Sequence, residues 1–259
     1  RPARVLMQDF PGVPAVNYNP SIVTNGLVCC VDAADLASYS SGSATWNDMT
    51  GDANFAFQND TATKNIAHFT DDKGLLMDGS DDFLIGAGIR DIAPIDTGGT
   101  DGNFTFDVWF KKNASGGVGI MGSTALTDGD IHAANGFNVH LTVDGSNNLK
   151  VFTFNGGGAE DTDTGFDVAT GEIAHVGIVH NAETSRAGFK NGELSAFVAK
   201  HSTQNFANIV LCGDHSEGGS FLAHGHSNIT LYCVKLYNRA LSGKEVKQNY
   251  DALRGRFGV

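Results

Sequence analysis

Carboxylates, histidines and tryptophans are the side chains of this sequence that could do chemistry. The stretches "DTGGTDGN" (96–103), "TDGD" (127–130), "EDTDTGFD" (160–167) and "GDHSEGG" (213–219) are rich in oxygen donors, the ligand type a calcium ion prefers. Asp161, Asp163 and Glu172 fall at positions 1, 3 and 12 of an EF-hand-like count. That loop also needs a glycine at its sixth position and flanking helices, which this stretch lacks. The favoured reading is that these are turn residues, because Asp, Asn and Gly dominate turns anyway. A loop calcium site, with Asp101, Asp161 and Asp163 as candidate ligands, is the alternative. In "HGH", His224 and His226 would point the same way on a strand, with His215 nearby in sequence. Two imidazoles at that spacing suit a transition metal but do not make a ligand set, so solvated or hydrogen-bonded loop histidines are expected.

The chain has two tryptophans. Trp109 sits in an alternating apolar run and is expected to pack. Trp46, in the polar stretch "SGSATWNDMTG", is expected to pack over the edge of the fold; the alternative is that it stands exposed and stacks on a sugar ring, with Asp48 beside it. Glycoside hydrolysis needs two carboxyl groups about 5–10 Å apart on a rigid frame, but the nearest acidic cluster, residues 160–167, is flanked by glycine and reads as a loop. No G-x-S-x-G elbow, phosphate loop or H-E-x-x-H motif is present. The expectation is that the chain is not an enzyme.

The frame that would position these groups is legible in the turns. Glycine makes up 33 of 259 residues, about 13 per cent against a usual value near 7 per cent, which implies many tight turns and many short strands. "NFTFDVWFKK" alternates, with Phe104, Phe106, Val108 and Phe110 on one face and Thr105, Asp107, Trp109 and Lys111 on the other. "GFNVHLTVDG" repeats the pattern, and "LKVFTFN", "IAHVGIVHN", "LSAFVAK", "NIVLCGD" and "ITLYCVKLY" read as further strands. Asn191-Gly192 suits a hairpin turn whose two central residues need positive φ. Cys29, Cys30, Cys212 and Cys233 lie in apolar runs with no zinc spacing. They are read as buried small hydrophobes, with a cross-strand disulfide as the alternative.

A single helix closes the pattern. Ser242 and Glu245 form a capping box, Leu241 and Val246 a hydrophobic staple, and Gly255 is the expected left-handed stop, about three turns on. The fold class is thus all-β: a two-sheet antiparallel jelly-roll sandwich with one short C-terminal helix. Residues 1–25 hold four of the five prolines and read as an extended arm, with the sandwich domain spanning 26–259. The missing initiator Met reads as a processed or trimmed chain. A formal charge of −12 opposes nucleic-acid phosphates, and no apolar run approaches the roughly 20 residues of a membrane-spanning helix.

The closing segment "VKLYNRALSGKEVKQNYDALRGRF" resembles the C-terminal signature of laminin-G-like, concanavalin-A-like domains. "GLVCCVDAADLASYSSGSATWNDMTGDANFAF", "GLLMDGSDDFLI" (similar to a hairpin with an Asp-Gly-x-x-Asp turn), "NFTFDVWFKK" and "GFKNGEL" resemble the same family in the same order, from Gly26 to Phe257. One departure is "HGHSNITLYC", where relatives often carry Gly and an apolar residue. The resemblance implies glycan or protein binding, often through calcium, and seldom catalysis; the acidic strand motif of glycosidases on this sandwich, Glu-x-Asp-x-x-Glu, is not found here. The wider form "NPSIVTNGLVCCVDAADLASYSSGSATWNDMTG" looks most like domains of bacteriophage virion proteins. It implies a structural or decoration protein on a virion surface, docked to other virion proteins and copies of itself through the arm (Arg1, Arg4, Phe10, Tyr18), with surface glycans as further partners. A secreted calcium-dependent lectin is the alternative.

Overall fold

The computed structural model describes residues 21–51, 53–58, 68–70, 72–80, 82–86, 102–124, 137–154, 159–181, 185–199, 208–212 and 227–259. In chain order its strands are β1 (Leu27–Asp32), β2 (Thr45–Trp46), β3 (Phe55–Gln58), β4 (His68–Phe69), β5 (Leu75–Asp78), β6 (Phe83–Gly86), β7 (Phe104–Lys112), β8 (Val118–Thr124) and β9 (Phe137–Val143). They continue with β10 (Asn148–Phe154), β11 (Ala159–Asp167), β12 (Ile173–Asn181), β13 (Ser185–Lys190), β14 (Glu193–Leu194), β15 (Val198–Ala199), β16 (Asn208–Leu211) and β17 (Asn228–Tyr237), and the helix α1 (Gly243–Phe257) follows. All pairings are antiparallel, in two sheets. One runs β14-β13-β12-β7-β17-β5-β4, with β1 also on β17 and β15 on β13; the other runs β11-β10-β9-β8-β16-β6-β3-β2. This is the expected sandwich.

The core lies between the sheets. Phe104, Phe106, Val108 and Phe110 of β7 enter it from the first sheet, as their alternation predicts, and Val139, Leu141 and Val143 of β9 meet them from the second. Two bulges change which residues face inward. On β17 the register slips between Leu231 and Cys233, so Ile229 and Leu231 point into the core before the slip and Val234 and Leu236 after it. Tyr232 and Cys233 both turn to the outer face, beneath α1. On β8 the slip between Gly119 and Met121 sends both Ile120 and Met121 inward. An extra residue in one strand does this because it interrupts the two-residue side-chain period.

Three expectations are corrected. "GLLMDGSDDFLI" is not a hairpin, because β5 pairs with β17 in one sheet and β6 with β3 and β16 in the other, so the turn carries the chain across the sandwich. Residues 160–167 are not a loop but most of β11, an edge strand paired with β10; its charges suit an edge, where they discourage pairing with foreign strands. Helix α1 does not stop at Gly255 but runs on to Phe257, and Gly258 takes the left-handed conformation at φ 69°. The capping box is present, with Ser242 Oγ accepting from Glu245 N and Glu245 Oε2 accepting from Ser242 N. Asn191 and Gly192 both have positive φ, as the hairpin requires.

Candidate functional site

Among the described residues, a group of buried ionisable side chains in mutual contact lies under α1, on the outer face of the first sheet. Asp107 of β7 and Lys235 of β17 face each other across the ladder, and Lys235 Nζ stands 2.5 Å from Asp107 Oδ1. His175 Nε2 of β12 lies 2.9 Å from Asp107 Oδ2. From the helix, Asn249 Nδ2 donates to the same oxygen at 2.9 Å, and Asn249 Oδ1 accepts from Val23 N at 2.9 Å. Tyr237 Oη donates to Val23 O. Burial alone would push the Asp107 carboxyl up, but His175 and Lys235 outweigh it and hold it well below the usual range. Burial pulls Lys235 down, yet Asp107 more than reverses this; burial lowers His175 despite Asp107. The result is an ammonium–carboxylate pair beside a neutral imidazole. Such perturbed groups often mark active sites, but structural ion pairs produce them too. Here Asp107, His175 and Lys235 are all fully buried, and Trp109, Tyr250 and Phe257 stack beside them. No substrate reaches them, and the cluster ties the N-terminal segment, the sheet and the helix together.

The other face that carries chemistry is the outward side of the second sheet. The β8 bulge leaves Gly119 and Gly122 as that strand's outward positions over two successive rows. Gly122 lies between His140 of β9 and Val210 of β16, and this row continues through positions 152 and 161 on one side and Ile85 on the other. Gly119 faces Thr142, which faces Lys150, which faces Asp163. The face thus has two side-chain-free positions, bordered by His140, Thr142 and Lys150 on one flank. On the other is an apolar cluster of Phe83, Val210 and Ile85, separate from the core. Its centre is closed from solvent, with His140 3 %, Val210 2 % and Phe83 5 % exposed, and its open rim is at Asp163. Apolar surface next to a few fixed polar groups is the composition of a small-ligand site.

Residues 90–247 match the sequence profile of Laminin_G_3, the concanavalin A-like lectin/glucanases superfamily. The chain belongs to this superfamily. Among solved structures it is similar to Trypanosoma rangeli sialidase in complex with a difluoro-KDN compound (TM-score 0.63, 16% identity, 98% of this chain and 37% of that one). It is also similar to the same enzyme in complex with sialic acid (TM-score 0.62, 16% identity, 91% and 34%). A third similar structure is the binding domain of botulinum neurotoxin serotype D/C (TM-score 0.60, 13% identity, 88% and 52%). The chain therefore spans about a third of the sialidases and about half of the toxin domain, and at these identities the likeness is one of fold. No curated protein matches the sequence. The sialidases correct the expectation that the chain is not an enzyme: a sandwich of similar fold occurs within catalytic proteins, so a lectin-like fold is no argument against catalysis.

Within the superfamily sandwich, the sequence-predicted residues fall as follows. Trp46 is 0 % exposed and packs in the core, so it is not a sugar platform; its loop is polar, but β2 pairs with β3 and turns the indole inward. Asp48 is 7 % exposed, and its oxygens accept from the backbone N–H groups of Cys30, Thr50 and Ala53. That carboxylate is engaged in holding the turn. Asp163 stands exposed on β11 and accepts from Gly165 N; position 161 lies two residues before it on the same strand. Glu172 is 2.6 Å from Lys190. Among the described residues no group of three or more His, Cys, Asp or Glu side chains could hold a metal ion. Asp101, His215, His224, His226 and the docking residues Arg1, Arg4, Phe10 and Tyr18 lie outside the described residues. Lys235, His175 and Asn249 are not among the residues the sequence singles out. For Lys235 and His175 the sign is there, since each is a lone polar residue among apolar neighbours; Asn249, between Gln248 and Tyr250, carries none.

Proposed function

We propose that the chain is a glycan-recognising module that uses the outward face of its eight-stranded sheet. The carrying observation is the open end of the Gly119 row, where Thr142, Lys150 and Asp163 stand side by side on neighbouring strands and Asp163 is exposed. A sugar's rim of hydroxyls needs donors and acceptors, and these three side chains supply both. The similar structures support the reading, since one is a sialidase in complex with sialic acid and another the binding domain of a neurotoxin. The charge of −12 and Asp163 at the rim oppose an anionic sugar, so neutral hexose glycans are favoured over sialylated ones. Titration calorimetry with lactose and 3′-sialyllactose, after a glycan-array screen, tests this. Binding of neutral glycans is expected, with loss of at least tenfold in affinity in Lys150→Ala/Asp163→Ala at an unchanged melting temperature. An array without hits, or full binding by folded Lys150→Ala/Asp163→Ala, overturns it. The same titration in chelator decides whether calcium takes part.

A second reading adds an assembly role on a virion surface. It is favoured by the clasp at the start of the described chain, where Gln248 Nε2 donates to Ser21 O and Val23 N to Asn249 Oδ1. In this reading Arg1, Arg4, Phe10 and Tyr18 of the arm dock on other virion proteins or further copies of this chain. Deleting residues 1–20 is expected to abolish incorporation into particles without lowering the melting temperature; normal incorporation overturns it.

A further inference from the structure

We propose that Cys30 and Cys233 form a redox-active dithiol that closes reversibly to a disulfide between β1 and β17, beneath α1. On β1, Cys29 and Val31 point into the core, so Cys30 and Asp32 point to the outer face. On β17 the bulge turns Cys233 to that same face. Cys30 sits opposite Lys235 and Cys233 opposite Asp32, which makes the cysteines diagonal neighbours on one side of one strand pair. Both side chains are buried. Neither is joined in a disulfide in the structure, nor are Cys29 and Cys212. Cys29 is the internal control: it adjoins Cys30 in sequence but faces the core with Cys212.

Closure needs an oxidant, and a small-molecule disulfide supplies it. One cysteine attacks a sulfur of that disulfide and releases one thiol; the second then attacks the mixed disulfide and releases the other. An S–S bond forms between Cys30 and Cys233, their two protons leave, and the two electrons pass to the small disulfide, which ends as two thiols. Diagonal pairs on neighbouring strands have Cα atoms about 7–8 Å apart, slightly beyond the comfortable span of a disulfide. The bond should therefore be strained and easily reduced, a switch rather than a permanent staple. The irregular register between Leu27 and Cys29 gives β1 room to move toward β17. Burial and the neighbouring Cys233 keep the Cys30 thiol protonated, so reaction waits on local opening.

The test uses the full chain incubated with oxidised glutathione, then alkylated in denaturant, digested and read by mass spectrometry. It is repeated in urea just below the unfolding midpoint, so that slow opening cannot mimic a failure. The expected result is loss of two of four alkylatable thiols and a single Cys30–Cys233 linked peptide, reversed by dithiothreitol. Cys233→Ser should yield no intramolecular link. Four alkylatable thiols in both conditions, a link through Cys29 or Cys212, or glutathione adducts alone would overturn the proposal.

Discussion

Asp107 has two oxygens and three partners, Lys235, His175 and Asn249, all out of reach of solvent. A buried ion pair is weak evidence of stability, since attraction only offsets desolvation, but removing one member leaves an uncompensated charge. Lys235→Met should therefore cost about 3–5 kcal/mol, read as a lower urea midpoint, whereas a joint Asp107→Leu/Lys235→Met variant should recover much of that loss. If the double variant is no better than the single one, the pair is not what sets the cost. This cluster was half legible in the sequence. Asp107, His175 and Lys235 each interrupt an apolar strand, which marks them as buried charges. That they meet depends on β12, β7 and β17 being neighbours, a non-local pairing that alternation within a strand cannot supply. Trp46 was legible only in part: packing was the stronger expectation although its polar loop left exposure open, and its burial is decided by pairing with β3.

Strand pairs explain a pH response. His180 of β12 lies opposite Arg186 of β13 and stacks on Phe104 at 4.6 Å. Burial first, and the Arg186 charge second, lower its pKa from 6.5 to about 4. Between those values the unfolded chain binds a proton that the folded chain refuses, so stability rises with pH there. The contribution is fully present above pH 6.5 and lost as pH falls toward 4, on the order of 3 kcal/mol in all; His175, also lowered, adds in the same sense. Urea midpoints measured from pH 7 to 5 should fall, and less steeply in His180→Gln. An identical slope in both proteins would rule His180 out as the source. Elements differ in how openly the sequence declares them. The capping box at Ser242 is local chemistry and visible, but the end of α1 is not, because Gly255 and Gly258 can each serve as a stop. Packing of Phe257 against Trp109 favours continuing the helix through Gly255. Bulges in β8 and β17 were illegible for a similar reason: an apolar pair such as Ile120–Met121 looks like any buried run until its partner strand fixes the register.

At the largest scale the molecule is two antiparallel sheets, with a helix sealing the outer face of one and the ligand-like row on the outer face of the other. The architecture was readable because it follows from turn density, alternation and five motifs in order. The candidate site was not, because its two glycine positions acquire meaning only when β9 and β16 flank β8. A further property follows from the clasp of Val23 on Asn249 and the pairing of Leu27 with Tyr237 and Asp32 with Cys233. The leading segment and the run into α1 leave the β1–β17 ladder at the same end. A pull on both would open that ladder like a zipper, one hydrogen bond at a time, rather than shear all of them together. The sandwich is thus mechanically soft along that line, and tension would first lift α1 and peel β1, drawing Cys29 and Val31 out of the core.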